Sequence, residues 1–257
     1  LRFRQHLSGL AFVFMLLLLN SCIEPPNEPL PAIGNSSIIA VLSTGTSLQK
    51  IYFYSVTHLE DTRYPDELFV HNAVVEVNGL QFQEMSDSLE FPKNFYGLQF
   101  PQFVQPDSTY SLVVRNGQEI IRGRTTTPGH FSVISHPKEL YIHLDGATDT
   151  VELHWQESHN ARGYIVNQFS PPFEYPSGSG RFIPGGLLSW ISKSNHATIT
   201  VDKVGRYVIK IAAFDENYEK HFVLGYQVAG VEGAYGVFAS MAVDSIVINV
   251  MRTQLAQ

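Results

Sequence analysis

The residues able to do chemistry in this 257-residue chain are ten histidines, one cysteine and several acidic clusters. His136, His143, His154 and His159 fall in one short stretch, and imidazoles at suitable spacing bind transition metals. A zinc site needs three or four ligands in tetrahedral disposition, and no H-E-x-x-H or C-x-x-C pair is present to organise them. These histidines read as surface residues, so neither a metal nor a cofactor is expected. Asp215, Glu216, Asn217 and Glu219 cluster like calcium ligands, but their spacing is not that of a calcium loop and the turn glycine is missing. Ser177-Gly178-Ser179-Gly180 lies in a proline-flanked polar loop, not between a strand and a helix, so it is no nucleophile elbow. Paired carboxylates for glycoside hydrolysis stay open, because any two of the 24 acids are free to meet in space. With no catalytic constellation in view, the chain is expected not to be an enzyme.

The cysteine carries a sharper signal. Arg2, Arg4 and His6 precede an apolar run from Leu10 to Leu19, and Asn20, Ser21 and Cys22 follow. A membrane-crossing helix needs about 20 predominantly apolar residues, twice the length of this run. Residues 1–21 therefore read as a signal peptide. Leu19 to Cys22 resembles the lipobox cut by the lipoprotein-processing peptidase, which makes Cys22 the expected lipidation site. Each buried methylene contributes about 0.8 kcal/mol, so one acyl chain holds marginally, whereas a diacylglyceryl group plus an N-acyl chain makes a stable anchor. With its one cysteine so used, the mature chain has no disulfide and depends on apolar burial.

Residues 22–36 contain Pro25, Pro26, Pro29 and Pro31 and read as an extended tether. At about 3 Å per residue it would span roughly 35 to 40 Å. Without Arg2 and Arg4 the 17 basic residues fall to 15 against 24 acidic ones, a formal charge of −9. A nucleic-acid partner needs a basic footprint, so none is expected.

From Ser37 onward, short alternating runs rich in Val, Ile, Tyr, Phe and Thr are punctuated by Gly, Pro, Asn and Asp, the pattern of an all-β chain. The alternation predicts strands over 37–42, 50–56, 73–77, 80–85, 110–115 and 119–126. Asn78-Gly79 and Asn116-Gly117 sit between such runs as hairpin turns, since Asn and Gly tolerate positive φ. A first sandwich is expected over 37–128 and a second over 129–257. In the second, strands are predicted over 131–134, 140–144, 151–155, 163–168, 187–191, 197–201, 205–213 and 244–250. Leu140–Leu144 and Val151–Trp155 are expected to pair as one hairpin, bringing His143 opposite Glu152 and His154 opposite Tyr141. Asp215 is placed to cap a short helix through Tyr218 and Phe222.

Phe173, Tyr175, Phe182 and Trp190 surround the long PPFEYPSGSGRFIPGG loop. Aromatics beside polar loops stack on sugars or peptides, or else cover the end of a sandwich; both readings stand. The glycines of the GVEGAYGVF segment, Gly233 and Gly236, suit a structural turn with close backbone approach.

The succession LHW, GYIV, ATITV and GRYVIKIAAFD between Trp155 and Tyr207 resembles a fibronectin type III domain, which implies two tandem immunoglobulin-like or fibronectin III-like β-sandwiches with Trp155 and Tyr207 in a core. A second resemblance spans nearly the whole mature chain. Cys22 with its acidic, proline-containing linker, AVVEV and STYSLVV ahead of TTTPG, and DENYEKHF followed by GVEGAYGVFAS are similar to the Bacteroidota lipoproteins of domain of unknown function family 4249. Val231 and Ala239 stand where that family's glycine-rich turn has Asn and Gly. The resemblance implies an outer-membrane location, on the periplasmic side or the cell surface, and an accessory or binding role beside a TonB-dependent receptor. It supplies no catalytic residues. Exported proteins of these bacteria are O-glycosylated at Asp followed by Ser or Thr and an apolar residue or Thr. Four of the nine aspartates match, making Ser88, Ser108, Thr150 and Ser245 candidate sites, although the same pattern marks strand entrances. A structural or adhesion module is the alternative reading and a novel hydrolase the third. Ligand and oligomeric state are left open.

Overall fold

The computed structural model describes residues 35–56, 65–89, 91–174, 182–183 and 185–252. The expected signal peptide, Cys22 and most of the tether, and Tyr175, lie outside the described residues. The chain is an all-β sandwich structure, and among the described residues no helix is long and apolar enough to cross a membrane.

The first seven strands are β1 (Ser36–Ser43), β2 (Leu48–Ser55), β3 (Val74–Val77), β4 (Leu80–Ser86), β5 (Asn94–Gln99), β6 (Thr109–Asn116) and β7 (Glu119–Thr126). In β1, Ile38, Ala40 and Leu42 point inward, and in β2 Ile51 and Phe53 do the same, as period-2 geometry requires. The β3–β4 turn has both Asn78 (φ 51°) and Gly79 (φ 77°) in the left-handed region, as a two-residue hairpin of matching twist demands. At the β6–β7 turn Asn116 stays in the strand opposite Glu119, and Gly117 (φ 59°) takes the first central position instead.

The later strands are β8 (Glu139–Leu144), β9 (Asp149–His154), β10 (Gly163–Phe169), β11 (Phe173–Glu174), β12 (Phe182–Ile183), β13 (Leu187–Ser192), β14 (His196–Val201), β15 (Gly205–Phe214), β16 (Val228–Ala229), β17 (Val231–Glu232) and β18 (Tyr235–Arg252). Residues 131–134 make only a bridge, Val133 to Trp155. The expected β8–β9 hairpin does not form. β8 pairs in parallel with β18 and β9 pairs with β14, so the two strands belong to opposite sheets. β9 buries one apolar face and β8 half-buries its own, and facing each other across a core satisfies that pattern as well as lying side by side would. His143 is consequently opposite Met251, and His154 opposite His196.

There are two main apolar cores. One gathers Ile38, Phe53, Val75, Phe82, Leu112 and Ile121, and the other gathers Trp155, Val166, Ile199, Tyr207, Ile211 and Ile248. Each has a tyrosine whose hydroxyl bonds back to the preceding loop, the corner found in immunoglobulin-like sandwiches. Tyr110 accepts from the Gln105 N–H (2.7 Å) and donates to the Phe103 carbonyl (3.0 Å). Tyr207 accepts from the Lys203 N–H (2.9 Å) and donates to Asp202 (3.1 Å).

A boundary at Pro128 does not divide the two cores. Val231, Ala234 and Phe238, far along the chain, fill the first core. β17 pairs with β7, and the first part of β18 pairs in parallel with β1, from Ser37 opposite Tyr235 to Ser43 opposite Met241. β18 then continues against β15 into the second core. One strand thus closes the first sandwich and builds the second.

Candidate functional site: a cleft where the sandwiches meet

The end of β15 hands its chain to α2 (Glu216–Tyr218), followed by a π-helical turn over Glu219–Val223. Asp215 caps this start: its carboxylate accepts from the Tyr218 N–H at 2.8 Å. Tyr218 and Phe222 then pack with ring centroids 4.5 Å apart and planes tilted by 37°, the i, i+4 pair read from the sequence.

Only 4% of Asp215 is exposed, and its second oxygen serves the rest of the junction. It accepts from the Ser240 N–H (3.0 Å) and hydroxyl (3.1 Å) in β18, and from the Thr125 hydroxyl in β7. Burial pushes the Asp215 carboxyl above the usual carboxylate range, outweighing these hydrogen bonds, which pull the other way. Asn217 adds a second tie, its amide donating to the Arg124 carbonyl (2.8 Å) and the Phe238 carbonyl (2.9 Å).

Above this buried network is a cleft of about 440 Å³, walled by Arg124 and Thr126 of β7, Asn160 and Arg162 of the loop before β10, and Glu216. Glu216 lies 2.8 Å from Lys220 and 3.6 Å from Arg162, and its carboxyl is held below the ordinary range, chiefly by the Lys220 hydrogen bond. Lys193 pairs with Glu219 and donates to the Arg162 carbonyl (3.0 Å), which props the arginine loop. A second depression of about 390 Å³, also lined by Arg124, includes Arg122 and Glu232. Two guanidiniums, an amide and a carboxylate around one concavity suit a polar or anionic ligand held by hydrogen bonds. The buried Thr125 and Ser240 hydroxyls both donate to Asp215, so this carboxylate at the floor of the cleft is engaged in holding strands together.

Of the residues singled out from sequence, Asp215, Glu216 and Asn217 line the cleft, and the others lie elsewhere. Trp190 on β13 is opposite Val166 and packs half-buried against the second core. Phe173 and Phe182 are on β11 and β12, which pair with each other, and Tyr175 is outside the described residues. Of the candidate glycosylation hydroxyls, Ser88 is in an exposed turn, while Thr150 and Ser245 are exposed on β9 and β18. Ser108 is half-buried and donates to the Pro106 carbonyl (3.2 Å). The histidines hold separate partners: His136 the Glu152 carbonyl (3.1 Å), His159 both Asp107 (2.8 Å) and Asn160 (3.1 Å), and His154 the His196 ring at a separation of 5.8 Å. Among the described residues no three His, Cys, Asp or Glu side chains are grouped to hold a metal ion.

Sequence reasoning missed Arg124 and Arg162 as site residues, since no local motif links positions this far apart. The Asp215 cap and the acidic cluster with Glu216, Asn217 and Glu219 marked the place, though not as a cleft.

No protein-family model matches the chain, and no curated protein matches it. Among solved structures it is similar to the calcium-binding domain CBD12 of CALX1.1, at 9% identity and TM-score 0.25, covering 84% of this chain and 99% of that one. It is also similar to the FN1–FN3 domains of chicken CNTN1, at 11% identity and TM-score 0.20, covering 85% of this chain and 66% of that one.

Proposed function

We propose that this chain is a lipid-anchored binding lipoprotein that works as an accessory beside an outer-membrane receptor of the TonB-dependent kind. The anchor is supported by the apolar run from Leu10 to Leu19 just ahead of Cys22 and by the proline-rich segment between Cys22 and the first strand. The receptor partnership is supported by the sequence resemblance. Binding is favoured over catalysis by one observation: the cleft at the sandwich junction is lined with hydrogen-bonding and charged groups, while its buried carboxylate is fully engaged in structure. Here Cys22 positions the protein and the cleft meets the ligand.

The test is chemical cross-linking in the native membrane followed by identification of what co-purifies, in parallel with Cys22→Ala. The expected result is a receptor captured by the lipidated protein and lost in the variant, with the fold unchanged. A soluble Cys22→Ala protein that still supports the partner in cells, or capture of no membrane protein, would refute the proposal. A structural or adhesion role is the second reading. It is favoured by β18, which runs through both sandwiches as a single strand.

A further inference from the structure

The end of the first sandwich where the tether enters carries exposed apolar residues on both sides of the entry point. β1 begins at Ser36, opposite Ser55 at the end of β2, and the Asn35 carbonyl accepts from the Val56 N–H (2.7 Å). β2 is antiparallel to β5 and β5 to β4, so the β4–β5 loop emerges at this same end. That loop presents Leu89, 94% exposed, and Phe91, 71% exposed. Its base is pinned by Asp87 N–H to the Lys93 carbonyl (2.9 Å) and by Lys93 N–H to Asp66 (2.8 Å).

On the other side, β18 runs parallel to β1 and β16 runs parallel to β18. The chain comes down from Asp215, at the level of Ser240, and reverses just before Gln227, whose carbonyl meets the Gly236 N–H (2.8 Å). The reversal carries Leu224, 59% exposed, and Tyr226, 56% exposed. From β16 through β18, β1, β2 and β5 to β4 are five strand spacings, about 24 Å across. The start of β1 lies between the two apolar tips.

Large apolar side chains held out in water at the end of a molecule cost free energy that burial elsewhere would recover. We infer that these two tips are a membrane-docking surface: Leu89 and Phe91 on one side, and Leu224 and Tyr226 on the other, dip into the lipid interface to which the tether leads. The occupant follows from where the chain outside the described residues attaches. About a dozen residues separate Ser36 from Cys22, so any lipid on that cysteine lies within reach of this end, whereas the far end of the 18-residue β18 is about 60 Å along the strand. The inference rests on the lipid-anchor reading for its geometry. Glu90 stands between Leu89 and Phe91 in the sequence, and Asp66 and Glu67 of α1 (Pro65–Leu68) adjoin the loop. Docking is therefore shallow and suits a zwitterionic bilayer. Two tips contribute little alone, but tethering raises their effective concentration at the surface. Docked this way, the second sandwich and the junction cleft face away from the bilayer.

Cys22 is the chain's one cysteine, so the mature chain couples through it to a maleimide lipid in phosphatidylcholine vesicles without biological acylation. A Phe91→Trp variant reports contact through quenching by brominated phosphatidylcholine. The expected result is strong quenching and a blue-shifted emission from Trp introduced at 91 in the coupled protein. Adding Leu89→Asp and Leu224→Asp should lower that quenching several-fold, with unchanged circular dichroism. Equal quenching in coupled and uncoupled protein would overturn the inference, as would insensitivity to the two aspartates. The anchor reading is checked separately, by fatty-acid labelling of the wild type against Cys22→Ala in cells, so the two failures are distinguishable.

Discussion

Asp215 and Ser240 meet at the junction of the two sandwiches, where one carboxylate oxygen takes both the Ser240 N–H (3.0 Å) and its hydroxyl (3.1 Å). The pair lies at the point where β18 passes from the first core to the second, between Phe238 in one and Ala242 in the other. The contact therefore couples the two halves as well as ending β15.

Replacing Asp215 with Ala leaves the buried Ser240 N–H and the part-buried Tyr218 N–H without this partner. An orphaned buried donor costs about 1–3 kcal/mol, so we predict a loss of about 2–5 kcal/mol, read from the urea midpoint. A loss below about 1 kcal/mol would show that water or a shifted side chain substitutes for the carboxylate.

The same residue predicts an unusual pH response. Burial raises the Asp215 pKa in the folded state, so folding favours its neutral form. Its contribution is then full below the unfolded value of about 3.9 and is lost as pH rises through the higher folded value. Asp215→Asn removes this titration. The wild type should gain stability relative to the variant on acidification from pH 7 toward pH 3, and a difference that is flat or reversed would contradict the assignment.

Glycine requirements separate into two kinds. Gly236 has φ +102°, and a Cβ there would sit 1.9 Å from the Ile38 carbonyl oxygen, a backbone atom that cannot move aside. Gly79 also has positive φ, +77°, but nothing lies within 4 Å of its Cβ position. Gly79→Ala should cost about 1–2 kcal/mol for the backbone conformation alone. Gly236→Ala should cost clearly more and weaken the β1–β18 pairing, visible as faster amide exchange at Ile38 and Ile39.

What the sequence conveyed, and what it hid, divides along the same line as local and non-local information. Alternation located β1, β2, β6, β7 and β15 to within a few residues, because each strand's pattern is written in its own side chains. Asn78-Gly79 announced its turn for the same reason. β5 went unread, since NFYGLQ buries three consecutive residues and breaks the alternation. Pairing was harder. The inward faces of β8 and β9 are equally apolar whether the strands are neighbours or face each other, and only the whole fold decides. The cleft was least legible: Arg124, Arg162 and Glu216 come together through β18, whose double role nothing nearby in the sequence encodes.

The tyrosine corners offer a matched test of the two sandwiches. Tyr207→Phe removes a hydroxyl engaged with Asp202 and the Lys203 N–H, and Tyr110→Phe removes one engaged with Gln105 and Phe103. Each should cost about 1–3 kcal/mol by leaving loop groups unpaired. If β18 unites the sandwiches into one cooperative unit, both variants lower a single melting transition together. Two separable transitions, each moved by only one variant, would refute that unity.

The strongest consequence of the topology concerns the first sandwich taken alone. Residues 35–128 hold all of β1 to β7 yet lack Val231, Ala234 and Phe238, which are 7%, 0% and 0% exposed in its core. They also lack the partner for the free edges of β1 and β7. Unfilled core volume and two unpaired edges together exceed the few kcal/mol by which a domain this small is stable. The fragment should therefore fail to give a dispersed amide spectrum, and should aggregate through its open edges. Supplying a peptide of residues 228–243 in trans should restore dispersion, since it brings both the strand pairing and the Phe238 ring; the same peptide with Phe238→Ala, short of about 3–5 kcal/mol of burial, should not. A fragment that folds unaided would mean that β1 to β7 close on themselves, and that β18 merely rests against a sandwich already complete.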